Sequence, residues 1–304
     1  MHSIWSALFY IRAARIMSSK KWYFSDSILG AVMLTFFVLV AGSFFQLPFI
    51  YLAQKIMSSN PALGTILNYS SFIGIWAAVC IFMLLIKRDR YLFSYIIPNK
   101  SGNSWKNALT GLLIGFAMNA ICIAFATVKG DIHLHFSGTS IFILLIAFFA
   151  VFIQSSAEEL IVRVFLYQHL FRSHKSSLIP IVITSVFFAA MHMFNNGIGI
   201  VPIIDITVSG FLFALMIYYF NSFAMAAMCH TGWNFTQAIL FGLPNSGNVT
   251  PFSLFKLDAV IVNSAFFYDP VFGIEGSWMA IIVQVLAIIF IILKGENHNK
   301  EHVI

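Results

Sequence analysis

The sequence predicts an all-α fold: a polytopic transmembrane helical bundle of about eight helices with both termini cytoplasmic. Three observations predict it. Of 304 residues, 60% are hydrophobic and 9% charged, with a mean hydropathy of +0.89; a soluble domain carries roughly 25% charged residues and could not hide this much apolar surface from water. Apolar runs near 20 residues, the length of helix that crosses a hydrocarbon core, recur about eight times. The basic residues also follow the alternation of loops that such a topology generates. Arg12, Arg15, Lys20, Lys21, Lys87, Arg88, Arg90, Lys100, Lys106, Arg172, Lys175, Lys294 and Lys300 fall on one side, against Lys55, Lys129 and Lys256 on the other, and Arg163 lies inside a span.

The elements follow in order. Residues 1–27 form a cytoplasmic or interfacial amphipathic N-terminus: Ile4, Trp5, Leu8 and Phe9 beside Arg12 and Arg15 suit a short helix on the inner leaflet. Four basic side chains and no uninterrupted apolar stretch in this segment argue against a cleavable signal peptide. The transmembrane domain covers residues 28–293, with spans near 28–47, 66–86, 106–128, 141–171, 178–196, 201–220, 222–242 and 277–293, and residues 294–304 form a cytoplasmic tail. Two outer loops could shape an entrance: 48–65, with Pro48 and Pro61, and 243–276, rich in Asn, Gly, Pro and Phe. There is no internal repeat, low-complexity tract or soluble domain.

The net charge of +6 would suit nucleic acid, but the basic residues track membrane sides, so the bilayer is the implied partner and nucleic acid is not. Cys80, Cys122 and Cys229 all fall within spans, where they read as small apolar packing residues with neither a disulfide framework nor zinc spacing.

The chemistry concentrates in the fourth span, which holds Glu158, Glu159 and Arg163. A charged side chain at a helix centre is penalised by about 2.5 to 3.5 kcal/mol on insertion scales, so three within six residues call for a reason, and function is the default one. Glu159 and Arg163 stand four apart with the acid N-terminal, the favoured orientation for a same-face ion pair, whereas Glu158 points about 100° away. A division of labour follows: Glu159 is anchored, and Glu158 is left free for general acid or base work. The fifth span carries His192 four residues after Phe188, and the seventh carries His230 four residues before Asn234, on one face. Glu158 lies 14 residues before Arg172 and His192 14 residues after Leu178, so both sit about 21 Å from the turn between their helices and antiparallel packing would bring them level.

Each residue also has a plainer reading. The carboxylates with Arg163 could be a structural ion-pair network, a lone membrane histidine a packing residue, and Asn234 interhelical glue. Cys229, adjacent to His230, points about 100° from it and makes a poor thiol nucleophile. Asp205, in the first turns of the sixth span, reads as structural, helped by the helix dipole and the interface. His169 and His174 read as interfacial, and His133 and His135 as outer-loop residues without a ligand partner.

Glu158-Glu159-x-x-x-Arg163, Phe188-x-x-x-His192 and His230-x-x-x-Asn234, in that order on successive helices, resemble the three signature motifs of the CPBP family of intramembrane proteases, which joins the CAAX prenyl endopeptidases to bacterial bacteriocin-processing and self-immunity (Abi) proteins. The resemblance covers a signature core at residues 140–242, and Phe272-Gly273-x-Glu275-Gly276-Ser277 is also similar to bacterial members. It implies an intramembrane endopeptidase of the cell membrane acting on a membrane-associated peptide or protein. Glu158 assisted by His192 would activate water, His230 and Asn234 would stabilise the oxyanion, and Glu159 with Arg163 would hold the site together. The family is described in places as metalloproteases; Glu158, His192 and His230 could ligate a divalent metal such as zinc, although no His-Glu-x-x-His helix is present, and the preferred reading needs no obligatory metal. Two other function classes compete: a non-proteolytic scaffold or bacteriocin-immunity protein, which would have little reason to bear the insertion cost of the charges, and an ion-coupled transporter, disfavoured by the missing repeat. Substrate, side of entry and oligomeric state are not legible.

Overall fold

The structure, a computed structural model, describes residues 23–100, 102–261 and 266–301, with side chains as far as residue 295. The N-terminal amphipathic helix expected at Ile4–Arg15 lies outside the described residues.

Each of the eight predicted spans is helical. Helix α1 is Ile28–Met57, its first turn capped by Ser27, whose Oγ accepts the Gly30 N–H at 2.9 Å. Helices α2, Pro61–Ser70, and α3, Ile73–Leu85, form the second span with a break at Ser71 and Phe72. Helix α4 is Trp105–Val128; α5, Ile141–Glu159, continues through a π-helical turn, Leu160–Leu166, into α6, Tyr167–Ser173. Then follow α7, Leu178–Met191; α8, Ile200–Phe220; α9, Phe223–Asn234, with a π-helical extension Phe235–Leu240; and α10, Trp278–Glu301. Among the described residues, six helical stretches are long and apolar enough to cross a membrane, and α7 is shorter. The chain is a multi-pass membrane protein with an all-α helical bundle.

The segment 48–65 differs from its reading as a loop. Helix α1 runs ten residues past the predicted end with Pro48 inside it, because a membrane helix tolerates proline where neighbours satisfy the freed backbone. Pro61 opens α2 in the first helical turn, where its missing N–H costs nothing, and Asn60 caps that turn. In the other outer loop, β2 (Phe255–Val260) pairs antiparallel with β1 (Ile132–Phe136), pairing Ile132 with Val260 and Phe136 with Phe255, with an irregularity between His133 and Leu134. His135, expected to lack a partner, pairs across this ladder with Asp258.

Helix α9 is gripped between α4 and α5. The close approach to α4 depends on Gly111 and Gly115, four apart on α4: a Cβ on Gly115 would stand 1.9 Å from the Cys229 carbonyl oxygen, and one on Gly111 2.1 Å from that of Met225. Small residues at this spacing let membrane helices bring their backbones together. Cys229 packs fully buried at this interface and Cys122 is fully buried in the core, as expected of small apolar residues, while Cys80 is half-buried.

At the end of the bundle that the basic loops predict to be cytoplasmic, a 3-10 turn, Lys87–Tyr95, brings Asp89 into an ionic cluster. Asp89 lies 3.2 Å from His169 Nε2 and 3.6 Å from both Arg88 and Arg172, while Arg172 also reaches Asp26 at 3.1 Å. His169, expected toward this cytoplasmic end, lies here but is enclosed by protein: it is 2% exposed and donates Nδ1–H to the Phe165 carbonyl at 2.7 Å.

Candidate active site

The polar residues of α5 begin one turn before its geometry changes. Glu158 and Glu159 close the α-helical part, and the π-helical turn that follows widens the helix around Arg163; such turns recur at functional sites. Arg163 Nε lies 3.1 Å from Glu159 Oε2, both side chains wholly buried, so the expected four-residue ion pair forms. Arg163 also donates to the Thr184 carbonyl of α7 at 3.3 Å and faces the rings of Phe188 and Phe213.

The other oxygen of Glu159 reaches across to α9, where His230 Nδ1 lies 3.1 Å from Oε1. A carboxylate can only accept, so Nδ1 carries the proton and Nε2 is turned toward Glu158, 3.8 Å from its Oε2. Phe213 stacks on the His230 ring and Phe188 meets it edge-on, which fixes the ring plane. Phe188 also packs against His192 with centroids 5.0 Å apart. The four-residue spacing of Phe188 and His192 thus places one aromatic ring between two imidazoles and a guanidinium.

His192 sits just beyond α7 and not within it, since the helix stops at Met191 ahead of a turn around Gly197. Its Nδ1–H donates to the Phe188 carbonyl at 2.9 Å, leaving Nε2 of the neutral ring as an acceptor. Among the described residues no ion pair joins His192 to Glu158 or Glu159; it shares with His230 and Asn234 the lining of a cavity of about 30 Å³. That is room for a water molecule or two. A peptide needs the cavity to open.

Sequence reasoning missed the side chains that tie these groups together. Gln154, one turn before Glu158, donates Nε2–H to Glu158 Oε1 at 2.5 Å and accepts at Oε1 from Asn234 Nδ2 at 2.9 Å. Asn234 Oδ1 in turn accepts from Asn245 Nδ2 at 3.1 Å, and Asn245 also reaches Glu275. A directed chain of three amides therefore joins Glu158 to Glu275, and it turns the donors of Asn234 toward Gln154 and, at 3.4 Å, Ser155. Glu275, in a 3-10 turn before α10, accepts from Trp233 Nε1 at 3.0 Å and from the backbone N–H and hydroxyl of Ser246. Burial pushes its carboxyl above the ordinary range, against the pull of those donors and of nearby His192. The four-residue spacing of Gln154 and Glu158 was a usable signal; the approach of Asn245 and Glu275 from a distant loop was not.

Glu158 Oε2 is buried and has no hydrogen-bond partner; Glu159 Oε2 closes no hydrogen bond either, but it has the Arg163 Nε charge at 3.1 Å. Glu158 Oε2 and His230 Nε2 face each other, but among the described residues no three His, Cys, Asp or Glu side chains are gathered so as to hold a metal ion. The expected trio Glu158, His192 and His230 does not converge as a ligand set in this arrangement, because the His192 ring is drawn back to its own helix.

Asp205 lies in the first turns of its helix, as expected, but faces inward: it is wholly buried and lines the same cavity rather than the interface.

No curated protein and no solved structure matches the chain. Residues 137–236, the stretch that contains Glu158, Glu159, Arg163, His192, His230 and Asn234, are similar to the family model described as Rce1-like, type II CAAX prenyl endopeptidase.

Proposed function

We propose that the protein is an intramembrane endopeptidase that hydrolyses a peptide bond of a membrane-associated peptide or protein, with Glu158 as the general base toward water. The observation that carries this reading is the unequal use of two adjacent carboxylates. Glu159 has a close partner on each oxygen, Arg163 and His230, both at 3.1 Å, whereas Glu158 Oε2 is buried without a hydrogen bond and its nearest charged neighbour, His230 Nε2, stands off at 3.8 Å. An isolated acceptor oxygen at that depth is costly for a merely structural residue and is what proton abstraction from water requires.

In this reading His192, just past the end of α7, approaches the water with its Nε2. His230 supports the developing oxyanion through Nε2; because Nδ1–H is committed to Glu159, that donation uses the doubly protonated ring. Asn234 joins as donor once the substrate displaces its weaker contact with Ser155. No step requires a metal ion. The family match makes a farnesylated peptide ending in Cys-aliphatic-aliphatic-X the first substrate to try.

The test reconstitutes the full chain in vesicles with an internally quenched peptide of that kind. Glu158→Gln and His192→Ala should each lower kcat by about 10²- to 10⁴-fold with normal insertion. Cleavage that survives both substitutions rejects the assignment.

A further inference from the structure

On the cavity wall contributed by α8 and α10, Asp205 presents chemistry that the proposed hydrolysis leaves unused. Gln284 of α10 donates Nε2–H to Asp205 Oδ1 at 2.9 Å, and Ser209, one turn along α8 from Asp205, donates its hydroxyl to Gln284 Oε1 at 3.1 Å. Ser209 thereby fixes the orientation of the Gln284 amide, which leaves Gln284 able to meet Asp205 only as a donor. The second oxygen, Oδ2, is shielded from solvent and has neither a hydrogen bond nor, among the described residues, an ion-pair partner. Tying α8 to α10 needs one acceptor, and a serine or an asparagine would supply it at lower cost than a carboxylate. What remains is a buried, oriented oxygen without a partner, in a side chain that shares one small cavity with His192, His230 and Asn234.

We infer that Asp205, held by Gln284 and Ser209, is a substrate subsite that accepts an N–H donor of the bound peptide, either a backbone amide or a cationic side chain. The inference rests on the peptidase reading and names a feature of its substrate. An acceptor of this kind orients the chain across the cavity, so that the scissile carbonyl lies over the imidazoles while a neighbouring nitrogen is held on the α8 side. It also discriminates: a peptide lacking the donor leaves the carboxylate oxygen buried and unmatched, and sites of this kind reject such ligands strongly.

The experiment uses the quenched farnesylated peptide, a set in which each backbone amide is N-methylated in turn, and a set in which each neutral side chain is replaced by lysine. Binding is measured on the full-length Glu158→Gln protein and cleavage on the wild type, each with and without Asp205→Asn, which keeps an oxygen for Gln284 but replaces the free acceptor with a donor. Asp205→Ser serves as a second variant, and thermal unfolding in detergent checks both. We expect one N-methylation to weaken binding roughly 10- to 100-fold with Asp205 present and hardly at all once Asp205→Asn is introduced; for a cationic donor, one lysine peptide gains by a similar factor only with Asp205. Cleavage with an N-methyl and lysine profile unchanged by Asp205→Asn overturns the subsite and leaves the peptidase standing. An Asp205-dependent binding profile without any cleavage removes the peptidase reading and keeps the subsite. Loss of fold in both variants assigns Asp205 to structure and overturns the inference, and absence of binding by every peptide overturns both readings.

Discussion

Glu159 Oε1 takes the Nδ1 proton of His230 at 3.1 Å while its other oxygen holds Arg163 at the same distance, so one carboxylate fixes both the tautomer of an imidazole on α9 and the guanidinium in the polar core around it. Adjacent acids should therefore fail in opposite ways. Glu159→Gln leaves the Arg163 guanidinium buried without its counter-charge and is expected to cost about 3 to 5 kcal/mol of stability. Glu158→Gln removes no ion pair that closes at hydrogen-bond distance, so its melting temperature should stay near that of the wild type while turnover disappears. Thermal unfolding in detergent beside peptide cleavage separates the two.

Gln154 should act as a positioning residue. Its replacement by leucine orphans Glu158 Oε1 and the Asn234 amide together, at about 1 to 3 kcal/mol for the buried groups left unpaired. The expected signature is a fall in kcat with KM nearly unchanged, because the ground state loses no substrate contact. An equal rise in KM would show that Gln154 binds peptide directly.

The α4–α9 contact should tolerate no side chain at Gly115. A single methyl there meets the Cys229 carbonyl, part of a backbone that cannot rotate away, so Gly115→Ala should destabilise by about 1 to 3 kcal/mol and displace His230, the next residue. Gly130, whose Cβ position is open but whose φ is +80°, is a useful contrast: alanine there strains the turn without touching the site, and activity per folded molecule should persist.

The ionic cluster under the bundle should set acid stability. Burial alone would raise the Asp89 carboxyl, but the hydrogen bond and charge of His169, with Arg172 and Arg88, outweigh it and hold Asp89 below its ordinary range. The folded protein then releases that proton more readily than the unfolded chain, so the stabilisation is complete above the unfolded aspartate value of about 3.9 and is lost as pH falls through the depressed folded one. Wild-type melting temperature should drop on acidification through that window, and Asp89→Asn should flatten the drop. Parallel curves would assign the acid limb to other groups.

The helices were legible because a membrane imposes one length and one composition on them, and the four-residue pairs were legible because a helix repeats near that interval. Glu159 with Arg163 needs nothing beyond its own helix. His192 was harder: apolar residues continue past Met191, and the turn that ends α7 comes from Asn195, Asn196 and Gly197, which a hydropathy window averages away. The strands β1 and β2 stand more than a hundred residues apart and no local pattern joins them. Glu275 and Asn245 reach the centre through loop geometry, and Asp205 could be placed at the right depth but not on the right face, because apolar residues surround α8 and leave no polar stripe to orient it.

Helix α1 has 30 residues and so measures about 45 Å, half as long again as an ordinary hydrocarbon layer of about 30 Å. Its outward face carries Leu29, Phe36, Phe44, Leu47 and Tyr51 and stays largely apolar until Gln54 and Lys55 near the C-terminal end, still longer than the layer is thick. The molecule must lean or make the surrounding leaflets swell, and either response stores elastic work in the lipid. Since α1 packs against the π-helical turn behind Arg163, that mechanical load arrives beside the polar centre, and the thickness of the host membrane becomes a variable the protein feels.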